Sequence, residues 1–450
     1  MPLIYEHTVD TLVNTNNSIF SSGEVPTLLS NLNTFLFGTN SNGNSTTNGD
    51  TTTTASGYTL PAGNNVLFEK GVGGTAQFIT PTTLPTGILL GNAYFNVTDT
   101  GFAGDSGDFI VAGTGDDTIT VTQGANVVVA GAGDDFIFGG SGADTLYGGG
   151  RTSIDAGSGN QSLVGGLSGL ATDSLRGGSG NDTLTVTAGN NKLVAGSGSN
   201  TLYGGSGDDT LYGFGNWNDT TSQYTVPGTS HASLDAGSGN NLLIGGRDVG
   251  ASDSLRGGSG NDTLTVTEGN NKLVAGSGSN TLYGGSGDDT LYGFGNFNDA
   301  TGQYTVPGAS HAYLAAGSGD ESLVGGRDAG ASDTLLGGSG HDTLSVIMGN
   351  NSLIAGFGFA SIQLGSGDDS VNLYNGGSAT VTAGTGMSTI NFGGAAGNDT
   401  ITGGAANVTI NVVNEQETGS SVNAGVTTLT FADHQVLTYS GSHITLNFAA

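Results

Sequence analysis

Residues 177–212 read GGSGNDTLT, VTAGNNKLV, AGSGSNTLY and GGSGDDTLY, four units of nine residues placed end to end. Self-similarity at so short a fixed period is typical of a solenoid, in which each repeat packs only against its neighbours. The stretch therefore predicts a β-solenoid of stacked coils and excludes an ordinary globular arrangement for this part of the chain.

Each position of the nine-residue unit has its own role. The glycines occupy sharp turns, where a positive φ is often needed. The aspartate at position six points into the loop, and the apolar residue at position eight points into the core. The predicted core leucines are Leu184, Leu193, Leu202 and Leu211 in one block, and Leu264, Leu273, Leu282 and Leu291 in another.

The stacking of the loops predicts cation sites. Two nine-residue units complete one turn, so residues 18 apart lie over one another. Asp117 then lies over Asp135 at one edge, and Asn126 lies over Asp144 at the other. Because Ca²⁺ prefers six to eight oxygen ligands, two stacked loops that offer carbonyls and aspartates suit it. We predict multiple Ca²⁺ ions along the edges.

The motif resembles the RTX (haemolysin-type calcium-binding) repeat, over roughly residues 103–405. The resemblance implies a right-handed parallel β-roll with calcium between stacked loops, a bacterial origin, and type I secretion through a C-terminal signal. It implies that folding follows export. The predicted metal ligands are Asp108, Asp117, Asp135, Asp144, Asp173, Asp182, Asp209, Asp253, Asp262, Asp289, Asp333, Asp342, Asp369 and Asp399.

Many units depart from the motif at position six. Asparagine stands there in Asn126, Asn191, Asn200, Asn271 and Asn280. The 18-residue stack places Asp182 over Asn200 and Asn191 beneath Asp209, so many candidate sites have a single aspartate. Two interpretations are open: weaker calcium sites, or asparagine ladders that hold the turn by hydrogen bonds.

Composition excludes several classes of partner. The 450 residues include 38 Asp and Glu against 8 Lys and Arg, a net charge of −30, which argues against nucleic acid and anionic membranes. There is no cysteine, and no apolar run reaches the about 18 residues of a membrane helix. We expect no membrane insertion. No signal peptide is visible at residues 1–10.

The pattern divides the chain into four parts. Residues 1–56 are predicted as an N-terminal arm with a Ser/Thr/Asn-rich linker, and residues 57–102 as a β cap. Residues 103–405 form the calcium-binding roll. Residues 406–450 form a C-terminal cap and the secretion signal that the resemblance implies.

An 80-residue repeat is superimposed on the short one. AGSGNQSLVGG at residue 156 returns as AGSGNNLLIGG at 236 and AGSGDESLVGG at 316. Segments 213–235 and 293–315 each carry an insertion, which we expect to project as a loop from one edge. Their aromatic residues suggest either a self-packed loop or a contact surface, and include Phe214, Trp217, Tyr224, Phe294, Phe297 and Tyr304.

These features favour a structural protein over an enzyme. About 100 residues precede the repeats, and they contain no HExxH or G-x-S-x-G motif. We expect a secreted, extracellular or cell-surface protein that self-assembles into a surface layer, filament or biofilm matrix, with itself as partner. The alternative is a monomeric adhesin that binds cell-surface polysaccharide. Ice binding is a less favoured alternative, because threonine is sporadic at the outward loop positions.

Overall fold

The structure is a computed structural model. It describes residues 49–52, 58–59, 66–69, 76–80, 87–89, 94–99, 107–166, 172–218, 223–225, 231–298, 303–305, 311–374, 376–394, 397–403 and 407–449. The regular structure in these ranges is entirely β-strand. The same residues contain no helix long and apolar enough to cross a membrane. The predicted N-terminal arm, up to residue 48, lies outside them.

The strands fall into two compact units, one up to residue 227 and one from residue 228. The strands of the first unit are β1 (Gly49–Thr52), β2 (Tyr58–Thr59), β3 (Val66–Glu69), β4 (Ala76–Thr80), β5 (Gly87–Leu89), β6 (Phe95–Asp99), β7 (Phe109–Val111), β8 (Thr118–Thr120), β9 (Val127–Val129), β10 (Asp134–Phe138), β11 (Thr145–Tyr147), β12 (Arg151–Asp155), β13 (Ser162–Val164), β14 (Ser174–Ser179), β15 (Thr183–Thr185), β16 (Lys192–Ser197), β17 (Ser199–Tyr203), β18 (Thr210–Tyr212), β19 (Asn216–Asn218) and β20 (Gln223–Thr225).

The strands of the second unit follow the same alternation. They are β21 (His231–Asp235), β22 (Leu242–Gly245), β23 (Ser254–Ser259), β24 (Thr263–Val266), β25 (Lys272–Ser277), β26 (Ser279–Tyr283), β27 (Thr290–Tyr292), β28 (Asn296–Asn298), β29 (Gln303–Thr305), β30 (His311–Ala315), β31 (Ser322–Gly325), β32 (Thr334–Leu336), β33 (His341–Val346), β34 (Ser352–Ile354), β35 (Phe359–Gln363), β36 (Asp369–Asn372), β37 (Ser378–Thr382), β38 (Ser388–Gly393), β39 (Asp399–Thr402), β40 (Val408–Val413), β41 (Glu417–Asn423), β42 (Val426–Phe431), β43 (Val436–Ser440) and β44 (Ile444–Ala449).

Consecutive repeat strands alternate between two parallel sheets in each unit. In the first unit the odd-numbered strands β1–β17 form one sheet and the even-numbered strands β2–β18 form the other. In the second unit, β21 to β39 and β22 to β44 do the same, apart from the paired strands β28 and β29. Each coil therefore passes once through each sheet, which confirms the predicted parallel β-solenoid. The right-handed winding stays a prediction.

The register confirms the 18-residue stack. Leu184 pairs with Leu202 in one sheet, and Leu193 pairs with Leu211 in the other. All four side chains have no exposed surface. Residues on either side face outward because successive residues of a strand point to opposite faces. The core is thus a stacked column of leucine, isoleucine and valine, and it anchors the loops on which the candidate site depends.

The insertions form small antiparallel hairpins at the backbone level. Trp217 of β19 pairs with Tyr224 of β20, and Phe297 of β28 pairs with Tyr304 of β29. The first aromatic of each insertion lies inward: Phe214 is buried against Tyr212 with ring centroids 6.3 Å apart. This geometry matches the self-packed interpretation for Phe214 and Phe294, which is 3% exposed.

The terminal parts of the described chain continue the sheets. Strands β2 to β6 of the segment predicted as a cap pair in parallel with each other and with β7 and β8, so this segment shares the coil geometry. Strand β1, which lies in the predicted linker, pairs in parallel with β3. Near the C-terminus the pattern changes, because β41, β42 and β43 are antiparallel neighbours. Strand β43 then returns to a parallel pairing with β39.

Candidate metal centre

The position-six side chains form a hydrogen-bonded ladder along each edge. The backbone N–H of Asp117 donates to Oδ1 of Asp135 at 2.9 Å, and the N–H of Asn126 donates to Oδ1 of Asp144 at 2.8 Å. These bonds confirm the predicted stacking of both pairs. Each position-six oxygen therefore satisfies the amide of the coil before it, which a buried amide requires.

Carboxylates and amides serve equally well in this ladder. Oδ1 of Asn200 accepts the N–H of Asp182 at 2.8 Å, and Oε1 of Gln161 accepts the N–H of Asp144 at 2.8 Å. In either case the side-chain atom that accepts the N–H of the preceding coil is an oxygen. An aspartate loop and an asparagine loop differ in the other terminal atom of the side chain, which is Oδ2 in aspartate and Nδ2 in asparagine.

In seven of the aspartate loops that the structure describes, Oδ2 is buried and has no hydrogen-bond donor. An unbonded buried carboxylate oxygen is costly, so each such atom needs a proton or a cation. The chemistry of these loops therefore fits Ca²⁺, which oxygen ligands coordinate. The Oδ2 atoms concerned belong to Asp117, Asp135, Asp144, Asp182, Asp289, Asp369 and Asp399.

Burial shifts the protonation of these carboxyl groups. Desolvation, together with the neighbouring charge of Asp135, raises the pKa of Asp117 to about 8. Desolvation also raises the pKa of Asp135 to about 6 and that of Asp399 to about 7. In the absence of a cation, the folded protein therefore holds Asp117 mainly protonated at pH 7, whereas Asp399 is about half protonated and Asp135 is mainly ionised.

In the asparagine loops, the other terminal atom is Nδ2, which donates hydrogen bonds. Nδ2 of Asn126 donates to the carbonyl of Gln123 at 3.1 Å and to Oδ1 of Asp144 at 2.8 Å. Nδ2 of Asn191 donates to the carbonyl of Gly189 at 3.0 Å and to Oδ1 of Asp209 at 2.9 Å. The amide group thus occupies the space in which loop carbonyls face position six. Of the two interpretations of the asparagine units, this geometry favours the hydrogen-bonded ladder over a weaker calcium site.

Three predicted ligands have a different environment. Oδ1 of Asp173 accepts the N–H of Thr152 and Oδ2 accepts the N–H of Gly166, both at 2.8 Å. Asp253 and Asp333 repeat this arrangement, with Oδ2 accepting from Gly246 at 2.5 Å and from Gly326 at 2.6 Å. Residues 165–176, 245–256 and 325–336 form units of 12 residues in place of nine, and these carboxylates close them from within. The sequence contained no signal for this, because the closing amide lies seven residues away in a longer loop.

The other predicted ligands also lie at buried ladder positions. Oδ1 of Asp209 accepts the N–H of Asn191, and Oδ1 of Asp262 accepts the N–H of Asn241, both at 2.8 Å. The N–H of Asp108 donates to Oδ1 of Asn126 at 2.8 Å. Oδ2 of Asp342 accepts the N–H of Gly338 at 2.8 Å, so this group also closes its own loop.

Position five forms a second, exposed ladder. The N–H of Asp134 donates to Oδ1 of Asp116 at 2.9 Å, and the N–H of Asp208 donates to Oδ1 of Asn190 at 2.9 Å. Asp116, Asp134 and Asp208 are exposed to solvent. Their charges add to the negative field around the buried carboxylates.

The sequence interpretation missed one buried acid. Glu321 stands at position six of AGSGDESLV and is 1% exposed, and neither of its carboxylate oxygens has a donor. Its ladder position was a usable signal. It was overlooked because the motif specifies aspartate.

The acids are spread along the edges and do not gather at one centre. Within the described ranges, no group of three or more His, Cys, Asp or Glu side chains is placed to hold a metal. A cation between these loops must therefore take much of its coordination from backbone carbonyls, with one or two carboxylates. When bound, Ca²⁺ supplies the positive charge that the buried carboxylates lack.

These features define a parallel β-solenoid with cation-binding loops at its edges. The family model of the RTX calcium-binding nonapeptide repeat matches residues 102–121, 120–150, 167–198, 185–215, 231–264, 265–293, 315–345 and 393–411. Over these residues the chain therefore carries RTX-type calcium-binding repeats, and multiple Ca²⁺ ions are their cofactor. A comparison with curated proteins gives no match.

Proposed function

We propose that this chain is a secreted, non-enzymatic structural protein that folds outside the cell in calcium and self-assembles there. RTX repeat proteins are typically secreted, which supports an extracellular location. The observation that carries the proposal is the recurrence of donor-free buried carboxylates in both units, at Asp117 and Asp135 in one and Asp289 and Asp369 in the other.

Calcium gating follows from that recurrence. A folded chain without cations must bury several carboxyl groups whose charges are uncompensated, whereas the unfolded chain leaves them in water. Because cytosolic calcium is low, the acidic chain stays extended and exportable. Outside the cell, Ca²⁺ binds the folded form and stabilises it by mass action.

A structural role is supported by how the cation-dependent loops are distributed. They extend along the described repeats of both units instead of serving a single pocket, as expected of material in which the solenoid itself is the functional part. Assembly is tested by light scattering against calcium concentration. Scattering should rise with calcium and fall on chelation, whereas a chain that stays monomeric in saturating calcium would refute self-assembly.

The N-terminal residues are the proposed assembly arm. An extended arm could add to the exposed strand edge of a second copy, where unpaired backbone groups invite pairing. Deleting residues 1–40 should abolish polymers and leave a soluble, calcium-binding solenoid. Polymers that persist after the deletion would show that the arm is not required.

One surface observation favours the alternative of a glycan-binding adhesin. Tyr283 and Tyr313 lie edge to face with ring centroids 6.1 Å apart, and they are 43% and 37% exposed. Exposed aromatic rings suit contact with sugars or with another protein surface. An adhesin would remain monomeric in calcium and would lose polysaccharide binding in a Tyr283→Ala, Tyr313→Ala double variant. Self-assembly predicts little change in polysaccharide binding.

Ordered polar rows near the C-terminus keep ice binding as a third candidate. Thr389, Thr409 and Thr445 pair in register on the outward positions of β38, β40 and β44, beside Asn391 and Asn411. Here threonine is regular, unlike in the loops. Thermal hysteresis in calcium would support this candidate, and its absence would exclude it.

A further inference from the structure

Three acids stack in consecutive coils of the second unit. Asp289 and Glu321 directly precede β27 and β31, and Asp342 is the second residue of β33; the three strands are neighbours in one sheet. All three residues are 1% exposed. The N–H of Glu321 donates to Oδ1 of Asp342 at 3.3 Å, and the two carboxyl groups lie within hydrogen-bonding reach. Two carboxylates can approach in this way only with a proton or a cation between them.

Gln161 of the first unit shows how the same position is satisfied without a cation. It stands at position six of AGSGNQSLV and is flanked in its stack by Asp144 and Asp182, as Glu321 is by Asp289 and Asp342. Nε2 of Gln161 donates to the carbonyl oxygen of Gly142 at 2.8 Å. The amide nitrogen therefore completes the loop.

Glu321 places an oxygen where Gln161 places that nitrogen. The space beside Gly159 locates both groups. A Cβ atom added to Gly159 would lie 1.6 Å from the Gly142 carbonyl oxygen and 3.1 Å from Nε2 of Gln161. A Cβ atom added to the equivalent Gly319 would lie 2.1 Å from the Gly287 carbonyl oxygen and 2.9 Å from Oε1 of Glu321. Oε1 of Glu321 and the carbonyl oxygen of Gly287 thus both lie close to Gly319, and neither Oε1 nor Oε2 has a donor.

We propose that Glu321 and Asp342, with the carbonyl of Gly287, form a Ca²⁺ site that the equivalent Gln161 loop lacks. Ca²⁺ is preferred over a smaller ion because a loop of carbonyls with few carboxylates suits its larger, flexible oxygen shell. The proposal depends on calcium binding by the chain and is independent of self-assembly.

Position five of the same loop also changes from an amide to an acid. Position five is Asn160 or Asn240 in the two equivalent loops, and Asp320 beside Glu321. Asp320 is exposed, and its Oδ1 accepts the N–H of His341 at 2.9 Å, which an asparagine oxygen would also do. Asp320→Asn therefore removes the same charge as Glu321→Gln, one residue away, without touching the buried site.

The test counts bound calcium on the full chain by equilibrium dialysis at neutral pH. Glu321→Gln should bind one ion fewer than the unchanged chain, because its amide can donate to Gly287 as Gln161 does to Gly142. Asp320→Asn should bind the same number as the unchanged chain. The reciprocal Gln161→Glu should bind one ion more, because it restores three stacked acids with Asp144 and Asp182.

A second readout follows the fold after calcium is removed. The circular-dichroism β signal of Glu321→Gln should survive to a higher pH than that of the unchanged chain, since one buried carboxyl group fewer then needs a proton or a cation. The proposal is overturned if Glu321→Gln keeps the full ion count, or if Asp320→Asn loses an ion as well. It is also overturned if Gln161→Glu gains none, a result that does not depend on the folding of the other variants.

Discussion

Replacing Asp117 by asparagine should stabilise the metal-free protein near neutral pH. Oδ1 of Asp117 accepts the N–H of Phe95 at 2.8 Å, and asparagine keeps that oxygen. Its Nδ2 can donate toward the loop carbonyls, as Nδ2 of Asn126 does to Gln123. The exchange thus removes a buried oxygen that has no donor and adds a group that can be satisfied.

The magnitude follows from the pKa of Asp117, which burial raises from 3.8 to about 8. Because the folded pKa lies above the unfolded one, this group's contribution to stability is fully present below about pH 4 and declines up to about pH 8. At about 1.4 kcal/mol per pKa unit, ionisation opposes folding by at most roughly 4 kcal/mol at pH 7. Since water can enter a loosened loop, we expect a gain of about 2–4 kcal/mol in Asp117→Asn.

The assay is far-UV circular dichroism after removal of calcium on a chelating resin, with pH raised from 4 to 8. The pH at which half of the β signal is lost should be higher in Asp117→Asn than in the unchanged chain. Asp116→Asn is the matched control, since this exposed neighbour only accepts the N–H of Asp134. The reasoning is refuted if Asp117→Asn unfolds at the same pH as the unchanged chain, or if Asp116→Asn shifts it equally.

Excess chelator at pH 7 should abolish the β signal of the unchanged chain, and an identical signal in chelator and in millimolar calcium would contradict calcium-dependent folding. Asp173→Asn should lower stability by about 1–3 kcal/mol in saturating calcium without changing the number of bound ions, because Gly166 loses its acceptor. Urea unfolding and ion counting together check this, and a lost ion would instead make Asp173 a ligand. Gly142→Ala should destabilise by more than about 3 kcal/mol, since its φ is +142° and the added carbon would lie 1.5 Å from the Gly124 carbonyl oxygen. Gly419→Ala, which meets nothing within 4 Å, should have little effect in the same urea experiment.

The period of the sequence allowed the coil, its register and the buried column to be predicted. Leu193 and Leu211 pair as an 18-residue repeat requires, and Asp117 stacks with Asp135 in the same way. Such features could be predicted because a nine-residue unit repeats one backbone conformation, so position alone fixes which side chains face the core and which face the loop.

The roles of individual acids could not be predicted in this way. Asp135 and Asp173 both read as loop aspartates, but Oδ2 of Asp135 has no donor, whereas Oδ2 of Asp173 accepts from Gly166. The difference arises because Asp173 has a backbone amide seven residues before it within reach of Oδ2, as the equivalent Asp253 has in Gly246. The inward position of Phe214 was open for a similar reason, because the sequence does not show how an insertion folds back.

The sequence alone therefore determined the repeat, the two-sheet coil and the dependence on oxygen-ligated cations, because these follow from local periodicity and residue chemistry. Only the tertiary structure decided which position-six groups need a cation. Oδ2 of Asp144 lacks a donor, Nδ2 of Asn126 donates to a carbonyl, and Glu321 faces Asp342. The physical reason is that a buried polar atom is satisfied by the coil stacked against it, and that coil is 17 to 22 residues away in the chain.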